Sequence, residues 1–180
     1  EAIEFILRSI EKAGFNPGKE VSICLDVAAN ELYKNNKYCF NSSKFISLDE
    51  TINFYTGLLK KYPIKSIEDP LSEDDWSGWI DLSKSLNKNI QIVGDDLFVT
   101  NKDRLLKGIE VKAANAILIK PNQIGTLTET LEVINLARQN GYKTIISHRS
   151  GDSEDTFIAD LAVGTNASQI KTGSLARSER

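Results

Sequence analysis

The chain has 180 residues and a formal net charge of −3, and 41% of its residues are hydrophobic. This length suits one globular domain, and the apolar content is too high for a disordered chain. The slightly acidic balance argues against nucleic acid as the primary ligand, because nucleic-acid-binding domains normally carry a basic surplus. The longest apolar runs are only as long as strands, so we expect no membrane span. Two cysteines without metal-ligand spacing, Cys24 and Cys39, favour a reducing, cytoplasmic environment.

Short β-branched runs alternate with longer amphipathic segments along the chain. Apolar residues at helical spacing predict a helix over 1–14, VSICLD predicts a buried strand over 21–26, and the polar residues 30–47 predict a long loop-like excursion. Further helices are predicted over 48–61, 73–86, 101–112, 125–139 and 155–163. Further strands are predicted over 64–69, 90–96, 115–120, 143–149 and 168–173. Six strands separated by helices indicate an α/β fold with a parallel sheet.

Two architectures are compatible with this alternation. An open doubly wound sheet usually has a G-x-G-x-x-G turn after its first strand, and this sequence has none. A TIM-type (βα)₈ barrel needs eight strands and typically about 250 residues, so this chain is about two strands short. The pattern by itself leaves an unusual open sheet and a partial barrel as alternatives.

Ionisable or hydroxyl side chains lie at or just after the ends of all six predicted strands. They are Asp26, Glu68, Asp69, Asp95, Asp96, Lys120, His148, Arg149, Ser150 and Lys171. Ligands bind at the carboxyl ends of parallel strands, so this set predicts a functional site. Asp69 and Asp96 are interpreted as ordinary turn or helix-capping residues. Lysine does not cap a helix N-terminus, so capping does not explain the whole set.

Three of these carboxylates, on Asp26, Glu68 and Asp95, would repel one another strongly unless a cation lay between them. Oxygen donors, with a single histidine and no suitable cysteine, favour Mg²⁺ over Zn²⁺. The alternative is that the carboxylates pair with neighbouring lysines. Lys120 follows the apolar strand NAILI, where burial and a nearby cation would lower its pKa and make it a general base. Its alternative role is that of a salt-bridge partner for Asp95.

The remaining strand-end residues are suited to hold an anionic substrate. Arg149 and Lys171 carry the required positive charge, and Ser150 can donate to a phosphate. His148, the only histidine in the chain, is assigned to the site because it precedes Arg149 and Ser150. Carboxylates that hold a metal, together with a lysine base, indicate proton abstraction next to a substrate carboxylate.

Six segments of the chain closely resemble the enolase family. They are LDVAANELY (25–33), SIEDPLSEDDW (66–76), IVGDDLFVTN (92–101), ILIKPNQIGTLTETLE (117–132), SHRSGDSEDTFIADLAVG (147–164) and QIKTGSLARSER (169–180). The resemblance implies a partial TIM-type barrel of the enolase superfamily with about six strands. It also implies a glycolytic, magnesium-dependent lyase that interconverts 2-phosphoglycerate and phosphoenolpyruvate.

The resemblance also implies a role for each matching residue. Asp26, Glu68 and Asp95 match the Mg²⁺ ligands, and Lys120 matches the base that removes the C2 proton. The residues that match substrate-binding positions are Glu68, Asp95, Lys120, His148, Arg149, Ser150 and Lys171. Arg149 and Ser150 match the phosphate-binding pair.

Parts of the family pattern lie outside this sequence. The resemblance places an N-terminal α+β domain, the first barrel strands and the general-acid Glu before residue 1, and the final helices after residue 180. We therefore expect residues 1–180 to be part of the C-terminal barrel domain and to be inactive by themselves. The family also implies a homodimer or higher homo-oligomer in the cytoplasm, with some members at the cell surface or secreted.

Two alternative functions are kept. One is a non-catalytic fragment, or a binding or scaffold protein, that retains the enolase fold. The other is a superfamily member that acts on a different carboxylate substrate.

Overall fold

The computed structural model describes residues 1–40, 44–86, 90–174 and 179–180. The chain forms two compact units, Glu1–Ile92 and Val93–Arg180. Two of the sequence predictions fall partly beyond the described residues: part of the excursion, at 41–43, and part of the last motif, at 175–178.

The described residues of the first unit include two parallel strands and three α-helices. Its elements are α1 (Ala2–Lys12), β1 (Ile23–Asp26), a 3₁₀ turn (Ala29–Leu32), β2 (Tyr33–Lys34), β3 (Lys37–Tyr38), α2 (Leu48–Lys61), β4 (Ile64–Glu68) and α3 (Trp76–Ser85). Strands β1 and β4 are parallel, and their register places Asp26 opposite Glu68. The Gln91 side-chain amide donates to the Ser66 hydroxyl at 3.2 Å, so the start of the next strand lies beside β4.

The predicted excursion contains regular structure that the sequence analysis missed. Strands β2 and β3 form an antiparallel hairpin in which Tyr33 pairs with Tyr38. The two turn residues, Asn35 and Asn36, have positive φ angles of 53° and 57°. A two-residue turn with both φ angles positive matches the twist of a hairpin, and asparagine tolerates that conformation better than most residues.

The second unit repeats the strand–helix alternation. Strand β5 (Gln91–Gly94) runs into it from the first unit and is followed by α4 (Lys102–Val111), β6 (Ala116–Ile119), α5 (Pro121–Ile124), α6 (Leu127–Gln139), β7 (Lys143–Ser147), α7 (Phe157–Gly164) and β8 (Gln169–Lys171). Within this unit β5 pairs with β6, β6 with β7 and β7 with β8, all parallel. Every residue of β6 is buried, as expected for a parallel strand covered on both faces.

All six predicted strands and all six predicted helices are present, and their ends differ from the predicted ones by a few residues at most. The prediction over 48–61 matches α2 at both ends. That helix begins at a capping box in which Ser47 and Glu50 satisfy each other's backbone amides. The short helix α5 was not predicted, although Pro121 at its first position is a known start signal. Among the described residues, no helix is both long and apolar enough to cross a membrane.

Candidate active site

Two of the predicted metal ligands lie at neighbouring strand ends in the first unit. Asp26 and Glu68 are register partners, so their side chains leave the sheet on the same side. Asp26 is exposed and Glu68 is only 8% exposed. The chain beyond both strands is tied together, because the Val27 amide donates to the Glu68 carbonyl at 3.0 Å. The pair therefore places two carboxylates at the carboxyl ends of adjacent strands, and carboxylate oxygens are donors that suit a hard cation.

Aromatic side chains hold the loop that follows Glu68. The buried Tyr55 hydroxyl donates to the Pro70 carbonyl at 2.7 Å, and the Trp79 indole donates to the Ser72 carbonyl at 3.0 Å. The Ser72 amide donates to the hydroxyl of Tyr38 at 3.1 Å. These three aromatic residues are each no more than 1% exposed, so the loop is anchored to the core of the first unit.

In the second unit, Lys120 and Asp95 form a buried ion pair. The Lys120 ammonium lies 2.5 Å from Asp95 Oδ2, and the two side chains are 16% and 11% exposed. Asp95 directly follows β5 and Lys120 directly follows β6, so the pairing of these strands brings the two residues together. The alternative role considered for Lys120, as a partner of Asp95, is thus observed.

Burial and the neighbouring charges act in different directions on the pKa of the Asp95 carboxyl. Burial raises the pKa of the Asp95 carboxyl, and Asp96 acts in the same direction. The Lys120 hydrogen bond and the positive charges of Lys120 and Lys171 lower that pKa, but the effect of burial is larger. Lys171, at the end of β8, is therefore close enough to affect the pKa of Asp95. Asp95, Lys120 and Lys171, all predicted site residues, thus lie near one another.

The residues predicted to bind phosphate lie in the loop after β7. The side chains of Arg149 and Ser150 are exposed, whereas His148 is half-buried and its amide donates to the Lys171 carbonyl at 3.1 Å. The Arg149 amide donates to the carboxylate of Asp152 at 2.9 Å, and the Asp152 amide donates back to the Arg149 carbonyl at 3.0 Å. This reciprocal turn holds the loop while leaving the Arg149 guanidinium open to solvent.

Asp152 also connects this loop to the segment after Lys120. Its second carboxylate oxygen accepts from the Asn122 side chain at 2.7 Å. A cleft of about 220 Å³ adjoins this contact, lined by Pro121, Asn122, Ser147, Asp152, Ser153, Asp155, Phe157 and Ile158. None of the predicted site residues lines this cleft, so it lies beside the candidate site and does not define it.

Sequence reasoning missed three residues that support the site. Asp152 and Arg180 lie in the segments 147–164 and 169–180, but neither was predicted as a site residue, although Asp after Arg-Ser-Gly is a turn signal. The Arg180 side chain is 1% exposed and donates to the carbonyls of Ser153, Asp155 and Thr172. The third is Thr100, whose hydroxyl accepts the Lys120 amide at 2.9 Å. Its sequence context carries no signal for this contact, because the two residues are 20 positions apart.

Comparison with known proteins identifies the family. A family model described as the C-terminal TIM barrel domain of enolase matches residues 1–180. The chain is 64% identical over 180 residues to an enolase of Pelagibacter ubique and covers 43% of that protein. It is 56% identical over 181 residues to enolases of Natranaerobius thermophilus and Nitratiruptor sp., covering 42% and 43% of their lengths. In each case all of this chain is matched, so it spans less than half the length of these relatives.

The predicted fold class is therefore confirmed. The match to a TIM barrel domain decides between the two architectures left open by the strand pattern, and the described residues contain six parallel strands of such a barrel. The chain belongs to the enolase family and corresponds to its C-terminal TIM barrel domain.

Proposed function

We propose that this chain supplies the metal ligands, the general base and the phosphate-binding residues of a full-length glycolytic lyase. That protein interconverts 2-phosphoglycerate and phosphoenolpyruvate with loss or gain of water. The observation that carries the proposal is the buried Lys120–Asp95 pair, at 2.5 Å, within a domain of the enolase family. Both residues occupy positions that match the family's base and metal ligand.

In this proposal the Lys120 amine accepts the C2 proton of the substrate. The carbon acid next to a carboxylate is very weak, so the base must be held close to the proton and the developing charge must be stabilised. The position of Lys120 directly after a fully buried strand limits its motion. Lys171 supports the same step, since its ammonium can balance the additional negative charge on the substrate carboxylate.

The loop after β7 is proposed to hold the phosphate. A guanidinium can bind two phosphate oxygens at once, and a neighbouring hydroxyl can donate to a third. Arg149 and Ser150 offer these groups on the exposed side of a loop that Asp152 restrains. His148, at the base of this loop, is proposed to lie near the leaving hydroxyl.

Mg²⁺ is proposed as the cofactor, with Asp26, Glu68 and Asp95 as its ligands. The residues fit this ion by their chemistry, because Asp26 and Glu68 present carboxylates from adjacent strand ends and Asp95 presents a further one. When bound, the cation would stabilise the negative charge that develops on the substrate carboxylate. Glu68 and Asp95 are also proposed to contact the substrate.

Replacing Lys120 in the full-length protein tests the proposal. We expect Lys120→Ala to lower kcat for phosphoenolpyruvate formation by about 10²–10⁴-fold or more, as is usual for the loss of a positioned general base. Lys84→Ala is the matched control, since that side chain is 72% exposed and forms a surface ion pair with Asp81. The assay is the magnesium-dependent rise in phosphoenolpyruvate absorbance. If Lys120→Ala and Lys84→Ala show the same rate, Lys120 is not the base.

The same assay tests whether the substrate must carry a phosphate and whether residues 1–180 are active by themselves. Unphosphorylated 2-hydroxy acids should not react, because Arg149 and Ser150 would then lack their ligand. Residues 1–180 alone should not catalyse, because the family's general acid matches no position in them. A normal rate from the isolated chain would refute this part of the proposal.

We also propose an oligomeric state and a cellular location for the full-length protein. We infer a homodimer or higher homo-oligomer that acts on a small-molecule substrate in the cytoplasm. Sedimentation of the native protein and fractionation of its source cells test these two points. A monomer, or a product found mainly outside the cell, would contradict them.

A further inference from the structure

We propose that Thr100 is a positioning residue for Lys120, and that its hydroxyl sets the position from which the Lys120 amine acts. This inference rests on the proposed role of Lys120 as the base. The Lys120 backbone amide donates to Thr100 Oγ1 at 2.9 Å, across 20 residues of sequence. Thr100 is fully buried, at 0% exposure, so water cannot replace its hydroxyl.

The hydroxyl is oriented to accept this hydrogen bond. Its own proton faces two acceptors, the Leu118 carbonyl at 3.5 Å and Gln123 Oε1 at 3.4 Å. The two acceptors lie on either side of Lys120 in the chain. The backbone amide of Gln123 in turn donates to the Lys120 carbonyl at 2.9 Å. Thr100 is thus bonded to the end of β6 and the start of α5, which flank Lys120.

These contacts close a ring of interactions with Asp95. The Asp95 carbonyl accepts from the amides of Phe98 and Val99, at 3.1 and 2.8 Å, in the tight turn that leads to Thr100. Thr100 then holds the Lys120 backbone, and the Lys120 ammonium returns to the Asp95 carboxylate at 2.5 Å. A shift of Thr100 would therefore alter the relative position of the Lys120 and Asp95 side chains.

The backbone at Thr100 indicates that this position is imposed by the surrounding structure. Val99 and Thr100 have φ angles of 46° and 54° in the left-handed region. β-branched residues rarely adopt that conformation, and such outliers persist only where the surroundings hold them. Glycine or asparagine would satisfy the backbone at position 100 more easily, but only a hydroxyl side chain supplies the observed contact to the Lys120 amide.

The test uses three substitutions of Thr100 in the full-length protein. Thr100→Val keeps the shape and β-branching but removes the hydroxyl. Thr100→Ser keeps the hydroxyl. Thr100→Gly removes the hydroxyl and also the strain of the left-handed conformation, so it reports on the hydroxyl even if the valine variant fails to fold.

The first readout is steady-state kinetics with 2-phosphoglycerate. We expect Thr100→Val and Thr100→Gly to lower kcat by about 10–100-fold, the effect of a misplaced catalytic group. KM should change by no more than about 2-fold, because phosphate binding is assigned to a different loop, while Thr100→Ser should stay within about 5-fold of the parent in kcat. A kcat within about 2-fold of the parent in both hydroxyl-free variants would overturn the proposal, as would an equal loss in Thr100→Ser.

The second readout does not depend on activity. Hydrogen exchange of the Lys120 amide should accelerate at least about 10-fold in both hydroxyl-free variants and change little in Thr100→Ser. The amide of Ile146, in β7, serves as the reference for general loosening. If the parent protein fails to dehydrate 2-phosphoglycerate, the proposed function fails. The exchange of the Lys120 amide still decides whether Thr100 holds it, and unchanged exchange in both variants refutes that role.

Discussion

Gly108, in α4, lies against a phenylalanine that has no free space around it, so adding one methyl group there should destabilise the protein. A Cβ at Gly108 would overlap Phe98 Cε1 and lie 2.7 Å from its Cζ. On the opposite side, a Cβ at Gly94 would lie 2.5 Å from Phe98 Cδ2. The Phe98 ring is fully buried, and the ring of Tyr142 packs against it with centroids 6.2 Å apart. The ring therefore cannot move aside without displacing a strand or a second aromatic residue.

The magnitude follows from two opposing effects of Gly108→Ala. Alanine favours a helix over glycine by about 1 kcal/mol, whereas overpacking a filled core costs about 1–3 kcal/mol. Because backbone and a second ring back the Phe98 ring, we expect the upper part of that range and a net loss of about 1–2 kcal/mol. Gly57→Ala is the matched control in α2, since a Cβ there meets nothing within 4 Å. That variant should gain about 0.5–1 kcal/mol.

Urea denaturation of the full-length variants measures the difference. The two alanine variants should differ by about 1.5–3 kcal/mol in unfolding free energy, with Gly108→Ala the less stable. Combining Gly108→Ala with Phe98→Leu should remove most of its cost, because the smaller side chain leaves room for the methyl group. Equal stability of Gly108→Ala and Gly57→Ala would refute the packing argument, and so would an undiminished cost beside Phe98→Leu.

Two further predictions concern single positions near α4. Lys112 ends this helix in the left-handed conformation, at a φ angle of 56°. Lys112→Gly should therefore be more stable than Lys112→Ala by about 1 kcal/mol, as measured by thermal unfolding. Equal stability of the two variants would contradict this. Burial raises the pKa of Tyr142 from 10.0 to about 12, and its hydroxyl donates to the Gly108 carbonyl at 3.1 Å. Tyr142 therefore ionises first in the unfolded chain as the pH rises, and its own contribution to the unfolding free energy should fall between about pH 10 and pH 12 by up to about 1.4 kcal/mol per pH unit. Tyr142→Phe should lack this part of the alkaline loss, whereas parallel pH profiles for the two proteins would refute the assignment.

Local signals in the sequence were sufficient for most of the secondary structure. Helix α2 was predicted at both ends, because its cap at Ser47 and its apolar spacing involve residues within one or two turns. The hairpin of β2 and β3 was missed, since a turn formed by Asn35 and Asn36 gives a weaker signal than one that contains glycine. Helix α5 was missed because four residues are too few to show a helical period.

The candidate site divides in the same way between sequence and structure. The residue types at the strand ends, together with the parallel βα pattern, predict a site with carboxylates, a lysine and an anion-binding loop. The motifs also identified the family, and the matched domain confirms it. Parallel strands place their carboxyl ends on one side, so the order of residues along the chain is enough to predict such a set, and the assigned roles remain predictions.

Which partner each group has was decided only by tertiary structure. Lys120 had two possible roles from sequence, and the structure places it on Asp95 at 2.5 Å. Thr100 and Asp152 had no assigned role, yet one holds the Lys120 amide and the other holds the Arg149 turn. The physical reason is that hydrogen bonds between neighbouring strand ends depend on register and loop conformation, which join residues 20 or more positions apart. Periodicity and capping act over a few residues, so the sequence by itself determined most of the elements and the family, while packing determined how the candidate site is held.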